Sequence, residues 1–391
     1  MLEILIHSSD KKSAFILLLL FLPVIFISAL EISAPIYLVA DASNGRIILE
    51  KGEGISIPPA SLAKLMTLNL SLDDVGSGKL SYSELYEIPR GGDALSMRPG
   101  SSLLGLQAGD FSTLITLQRA AALVSANDAA CTLALLSEEN IQNFVDRMNG
   151  CASELGMKRT LYTDPDGWSS LSETTGEDQM RLILYYLNHH PGVLSRLHAL
   201  PWMVYQDRDE LTSTPEKRNT NLLIGRVEGV DGLKTGTIPS AGFHFAATAE
   251  REGTRFVVLV MGIRTDSYAE SLNRRAEEAQ LLLEWAFRNY ISWKPDAPRG
   301  LVIRVRHGAV STVGLEVSSK DLEKILPETL KISDRNNLLV LVDTPLRVTA
   351  PLRRGDVVGK ISWYNGAELL VELPLRIDSD VSGHWRLKDI F

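Results

Sequence analysis

At 391 residues the chain is long enough for two to three domains of about 150 residues each. With 45% hydrophobic and 23% charged residues it has the composition of a globular protein that can bury a useful core. A formal net charge of −8 speaks against a nucleic-acid partner, because gripping phosphates needs clustered Lys and Arg.

Lys11 and Lys12 precede an unbroken apolar run from Ala14 to Ala29, with Ser28-Ala29 as a cleavage point. Residues 1–29 therefore read as a secretory signal peptide. The alternative is an uncleaved anchor helix, for which the run is short and interrupted by Pro23. Either way the rest of the chain is expected outside the cytoplasm, in the periplasm or an equivalent compartment. No small-residue-then-Cys pattern follows, so a lipid-modified N-terminus is not expected. The two cysteines, Cys131 and Cys151, fall in apolar helical segments and read as buried free thiols in preference to a bridge.

Residues 36–40 and 46–49 read as a strand pair whose turn takes its positive φ angles from Asn44-Gly45. Pro58-Pro59 stops the chain, and Ser61-Leu62-Ala63-Lys64 opens a helix. Residues 112–136, 138–156 and 176–198 carry helical periodicity, with Ser125-Ala126-Asn127 ending one helix and beginning the next. Strands follow at 243–249 and 255–262, the latter holding the continuous run Val257–Val260 of a strand buried on both faces. One long helix is expected over 267–290, with Leu281, Leu282, Trp285 and Ala286 on its apolar side. Pro, Gly and charge cluster at 293–300, which marks a boundary. Beyond it, strands at 301–306, 313–317, 338–342, 346–349, 357–364 and 368–375 alternate with turns. The fold class is α/β: an antiparallel sheet covered by helices over 30–294, then a small all-β domain over 295–376 and a short tail over 377–391.

Three motifs appear in order: Ser61-Leu62-Ala63-Lys64, Ser125-Ala126-Asn127 and Lys234-Thr235-Gly236. Each is common alone; S-x-x-K recurs within the signal segment, and S-x-N recurs at Ser271-Leu272-Asn273. Their order and context are what weigh. A serine hydroxyl needs a base to attack a carbonyl, and Lys64 stands one turn from Ser61. Burial and a second cation, Lys234, would lower its pKa and free its lone pair. Ser125 and Asn127 would relay protons and orient Lys64 or the substrate amide. The backbone N–H groups of Ser61 and Thr237 are candidates for the oxyanion site. Lys234, with the hydroxyls of Thr235 and Thr237, would meet a substrate carboxylate, and Gly236 leaves the strand edge open.

The three motifs match the S-x-x-K, S-x-N and K-T-G set of penicillin-binding proteins and serine β-lactamases. More closely, the chain resembles the low-molecular-mass D-alanyl-D-alanine carboxypeptidases of peptidase family S11. The resemblance runs from about Ile36 to about Leu375 through Pro59–Thr67, Ser125–Ala129, Asp231–Gly236, Ala241–Phe243 and Val260–Thr265. It implies a penicillin-binding domain followed by a small β-rich one. The implied activity is removal of the terminal D-alanine from peptidoglycan stem peptides through an acyl-serine, with β-lactams as covalent inhibitors and no cofactor. It also implies that Arg264 helps hold the terminal carboxylate. Two departures stand out. Ala126 replaces the usual glycine, and the family's C-terminal amphipathic helix is weak, leaving Val381, Trp385, Leu387, Ile390 and Phe391 as a candidate membrane-surface contact.

Rival readings are a serine β-lactamase, a D,D-endopeptidase and a catalytically idle wall-binding scaffold. Glu173 and Glu177 lack the E-x-x-x-N pattern of a deacylating lactamase loop. A zinc peptidase is disfavoured, because His189-His190 are adjacent and lack the i, i+4 spacing that aims two imidazoles from one helix at one ion. No metal is expected.

Overall fold

The computed structural model describes residues 30–204 and 216–384. The expected signal segment and most of the tail's apolar residues lie outside that range. Strands β1 (Ile36–Asp41), β2 (Ile47–Lys51), β3 (Val230–Ile238), β4 (Gly242–Arg251) and β5 (Thr254–Ile263) form one antiparallel sheet in the order β2-β1-β5-β4-β3. The N-terminal hairpin thus joins the last strand of this layer, with Leu38 opposite Leu259. The helices are α1 (Lys64–Gly76), α2 (Leu114–Leu123), α3 (Asn127–Ser137), α4 (Ile141–Glu154), α5 (Gly176–His189) and α6 (Tyr268–Asn289).

The run Val257–Val260 is continuous because β5 is covered on both faces. Successive side chains alternate across the pleat. Val257, Leu259 and Met261 join the core built on α1 to α5. Phe256 faces the other way and meets Phe287 of α6 with ring centroids 5.0 Å apart. The buried face of α6 runs through Ala276, Ala279, Leu282, Leu283 and Ala286. Leu281 is exposed, contrary to expectation, because the helical period carries the stripe from Ala279 to Leu282 and Leu283.

Only Gly45 of the β1–β2 turn takes positive φ, +76°. Asn44 has another use: its amide donates to Pro327 O at 2.9 Å and to Thr329 Oγ1 at 2.9 Å. The fully buried Asp41 carboxylate, at the same turn, accepts from Ser43, from Ser292 Oγ and from Thr329 Oγ1. These bonds tie the N-terminal hairpin to a ribbon made by Tyr290–Trp293 and Glu328–Lys331, a pair the sequence reading missed.

The C-terminal strands form a six-stranded sheet with its own core around Ile303, Leu315, Ile361 and Leu375. A short helix at Ser319–Glu323 interrupts the expected all-β texture. The last strand runs from Glu368 to Ile377, and Val381 pairs with Leu352 as an isolated bridge. Val381 is therefore buried in this core and is not free to enter a membrane surface. Both cysteines are free, Cys131 buried and Cys151 half-buried.

Candidate active site

Ser61 sits in a 3₁₀ turn, Ala60–Ala63, that runs directly into α1. Pro58 and Pro59 end the preceding extended segment, and Ala60 is held at φ +50°. Buried His244 accepts from the Gly262 N–H through Nδ1, so its Nε2–H donates to Pro58 O at 2.9 Å and props this turn from behind.

Lys64 is fully buried, and its ammonium nitrogen has three partners: Ser61 Oγ at 3.0 Å, Asn127 Oδ1 at 2.7 Å and the Asp166 carbonyl at 2.6 Å. The charged form fills all three contacts as donors, and the neutral form fills two as donors to the Asn127 and Asp166 oxygens and accepts the Ser61 hydroxyl on its lone pair. Burial lowers the Lys64 pKa, against the opposing pull of Asp166, Asp164 and Asp128. Lys234 is 1% exposed, and its pKa is driven well down, first by burial, then by Lys64 and Arg275. The sequence reading expected burial and a second cation together to lower the Lys64 pKa; burial is the main cause at both lysines.

Ser125 occupies the link between α2 and α3 at φ +59°. Left-handed backbone costs a non-glycine residue roughly 1 kcal/mol or more and persists where the surroundings enforce it. Asn127 opens α3 and donates to Ser101 Oγ at 3.2 Å. On the other side, β3 is the sheet's edge strand and carries Lys234 to Thr237. Gly236 lies so close to Ser61 that a Cβ there would stand 3.3 Å from the Ser61 nitrogen. Ser61, Ser125, Thr235, Thr237 and Arg264 line one cleft of about 1020 Å³.

Arg264 is exposed, and its guanidinium donates to Pro239 O at 2.9 Å and Ser240 O at 2.5 Å, bracing the β3–β4 turn. A second arginine, which the sequence reading passed over, stands behind Thr237. Arg275 is 4% exposed and donates to Thr237 Oγ1 at 3.0 Å and Gly236 O at 3.2 Å. Burial lowers its pKa to about 10. Among the described residues no carboxylate forms an ion pair with Lys64, Lys234 or Arg275. An R at i+4 from the second S-x-N match was visible in the sequence, but nothing local marks that turn of α6 as facing the cleft.

Two acidic groups were also missed as parts of the site. Asp128 accepts from Leu104, Gly105 and Leu106 N–H and pins the segment that faces α3. Asp166 belongs to the turn Asp164-Pro165-Asp166-Gly167, a Pro-Asp-Gly signature that could have been read as a tight loop. Burial raises the Asp166 pKa to about 6, against the pull of Lys64. Glu173 instead pairs with Leu161 through its backbone, and the Glu177 carboxylate accepts from the Gly54 N–H.

The family model for D-alanyl-D-alanine carboxypeptidases, peptidase S11, matches residues 24–265. A D-alanyl-D-alanine carboxypeptidase of Escherichia coli K12, DacC, is 27% identical over 96% of this chain and 92% of its own length. DacF of Bacillus subtilis is 25% identical over 87% of this chain and 84% of its own. Penicillin-binding protein 6B of E. coli has the same fold, with a TM-score of 0.68 at 24% identity over 88% of this chain and 95% of its own. Penicillin-binding protein D2 of Listeria monocytogenes, solved in an ampicillin-bound form, matches 66% of this chain and 98% of its own at 29% identity and a TM-score of 0.56.

Proposed function

The chain belongs to the peptidase S11 family of D-alanyl-D-alanine carboxypeptidases, and from that premise we propose that Ser61 is its nucleophile and Lys64 the base. The protein is a serine-type D-alanyl-D-alanine carboxypeptidase acting on peptidoglycan stem peptides. Ser61 Oγ attacks the carbonyl carbon of the penultimate D-alanine and passes its proton to neutral Lys64. The C–N bond breaks, the leaving D-alanine nitrogen takes a proton routed through Lys64 and Ser125, and water then releases the acyl group. The N–H groups of Ser61 and Thr237 bind the oxyanion. Thr235, Thr237 and Lys234 receive the substrate carboxylate, with Arg264 at the rim and Arg275 behind Thr237.

The observation that carries this reading is a serine 3.0 Å from a fully buried lysine, in a cleft whose other cations have no carboxylate partner among the described residues. An unpaired buried charge is costly, and an anionic substrate end would offset it. A β-lactam, whose carbonyl and carboxylate have a similar spacing, would acylate Ser61 and persist there. Mass spectrometry after penicillin treatment tests this: one adduct on Ser61 is expected, absent in Ser61→Ala together with D-alanine release. Steady turnover of the penicillin would instead favour a β-lactamase, and no adduct would favour an idle scaffold. A cross-linked dimeric stem peptide distinguishes endopeptidase from carboxypeptidase action.

The apolar run behind Lys11-Lys12 supports export, and the two separate cores support a division near residue 294. Among the described residues no helix is long and apolar enough to cross a membrane. A peripheral membrane contact would fall to Trp385, Leu387, Ile390 and Phe391, outside the described residues.

A further inference from the structure

Away from the Ser61 end of α1, three ligand-type side chains converge. Asp73 lies nine residues past Lys64 on α1, about 14 Å along the helix. His189 is the last residue of α5, and His190 is its C-cap, with φ −116° and ψ 75°. Adjacent residues inside a helix point about 100° apart, which is why the pair looked unable to share an ion. Leaving the helix at His190 removes that constraint and brings the second ring beside the first, with centroids 4.8 Å apart at 77°.

Both Nε2 atoms face one carboxylate oxygen. His189 Nε2 is 3.3 Å and His190 Nε2 3.6 Å from Asp73 Oδ1, and the ligand atoms all lie within 4.8 Å of one another. Two ligands about 2.0 Å from a tetrahedral ion stand about 3.3 Å apart, so little contraction is required. The rings are also held in place. Tyr185, one turn earlier, stacks on His189 at 4.8 Å and 16°, and Tyr186 meets His190 edge-on at 5.6 Å. Asn69 supplies a carbonyl oxygen 3.0 Å from His190 Nε2, and its amide donates to Asp73 Oδ2 at 3.3 Å. The neighbouring cation Arg147 is engaged by Asp74 at 2.7 Å, leaving Asp73 to the histidines. The His190 side chain is 12% exposed, while His189 at 48% and Asp73 at 30% leave a way in from solvent.

We propose that Asp73, His189 and His190 form a binding site for a divalent transition-metal ion of the zinc class. Two imidazole nitrogens and one carboxylate oxygen suit such ions, whereas calcium and magnesium require oxygen donors throughout. A water or the Asn69 carbonyl completes the shell. His190 Nε2–H donates to Asn69 Oδ1 at 3.0 Å, so binding an ion through Nε2 shifts the ring proton to Nδ1 and exchanges that hydrogen bond for the metal bond. The ion clips the far end of α1 to the end of α5 and acts as a brace for the helix that begins at Lys64, not as a participant in acyl transfer.

The test is calorimetric titration of the EDTA-treated, dialysed full chain with zinc chloride, with thermal unfolding alongside. One saturable site is expected, with a rise in Tm at saturation. His189→Ala, His190→Ala and Asp73→Asn should each weaken binding at least about tenfold, since even outer-shell partners are worth that much. His307→Ala, a distant control, should leave it unchanged. Circular dichroism checks that each variant is folded, and the Asp73→Asn change keeps side-chain size, so a loss there reports ligation. Absence of a saturable site, or an affinity unchanged in all three variants, overturns the proposal.

Discussion

As the proposed base, Lys64 meets two demands that conflict in water: it must be neutral to take a proton and stay hydrogen-bonded to hold its position. Full burial lowers its pKa, while Ser61, Asn127 and the Asp166 carbonyl keep it aligned. Arginine cannot give up its proton. Lys64→Arg should therefore lower acylation by a fluorescent penicillin about 10³-fold, within the usual span for losing a general base. A variant retaining a tenth of the wild-type rate would place the base elsewhere. Arg275 makes a separate case. It touches Thr237, a residue that lines the cleft, and has no carboxylate partner among the described residues. Arg275→Gln should raise KM for an acyl-D-Ala-D-Ala peptide about tenfold or more, the worth of a charge-assisted contact. The penalty should vanish for a substrate whose terminal carboxylate is amidated. A merely structural Arg275 would weaken both substrates alike.

At the scale of elements, the motif-bearing segments were legible because local chemistry dictates them. Pro58-Pro59 forces the break before Ser61, and the strand holding Lys234 to Thr237 precedes a turn at Pro239. The loop that completes the Lys64 environment was not legible, since its role depends on contact with a segment about a hundred residues away. Arg275 escaped for the same reason, as did the Tyr290–Trp293 and Glu328–Lys331 ribbon: each has a partner set by tertiary contact. Leu281 was misplaced because apolar residues in a long helix outnumber the positions on its buried stripe. Gly167 shows how tightly the unread loop fits. It holds φ +72°, and a Cβ there would lie 1.8 Å from the Ala60 carbonyl oxygen. Gly167→Ala must shift either the loop or the turn bearing Ser61. It should cost about 2 kcal/mol or more in stability and reduce penicillin labelling well beyond that loss of folded protein, as read by unfolding and labelling on one sample. Normal labelling would show the loop to be independent of the nucleophile.

For the molecule as a whole, buried neutral histidines make stability depend on pH. His198 bonds Tyr186 and the Leu233 carbonyl just before Lys234, and His244 props Pro58. Burial lowers both pKa values to about 4. The unfolded chain, titrating near 6.5, binds more protons between those values, so this stability is complete above about pH 6.5 and is lost as pH falls toward 4. From pH 7 to pH 5 the loss is about 2 kcal/mol for each histidine. Asp166 works in the opposite sense. Its pKa is raised to about 6, so the folded state gains from acid over the same window and offsets part of the loss. Two histidines against one carboxyl leave a net loss, and the urea midpoint should fall between pH 7 and pH 5. His198→Gln keeps a donor and an acceptor but cannot take up the proton. It should be less stable at pH 7 and show a shallower fall toward pH 5. Wild-type and variant midpoints falling in parallel would mean that His198 is not held neutral, and that the strand carrying Lys234 rests on something other than this buried imidazole.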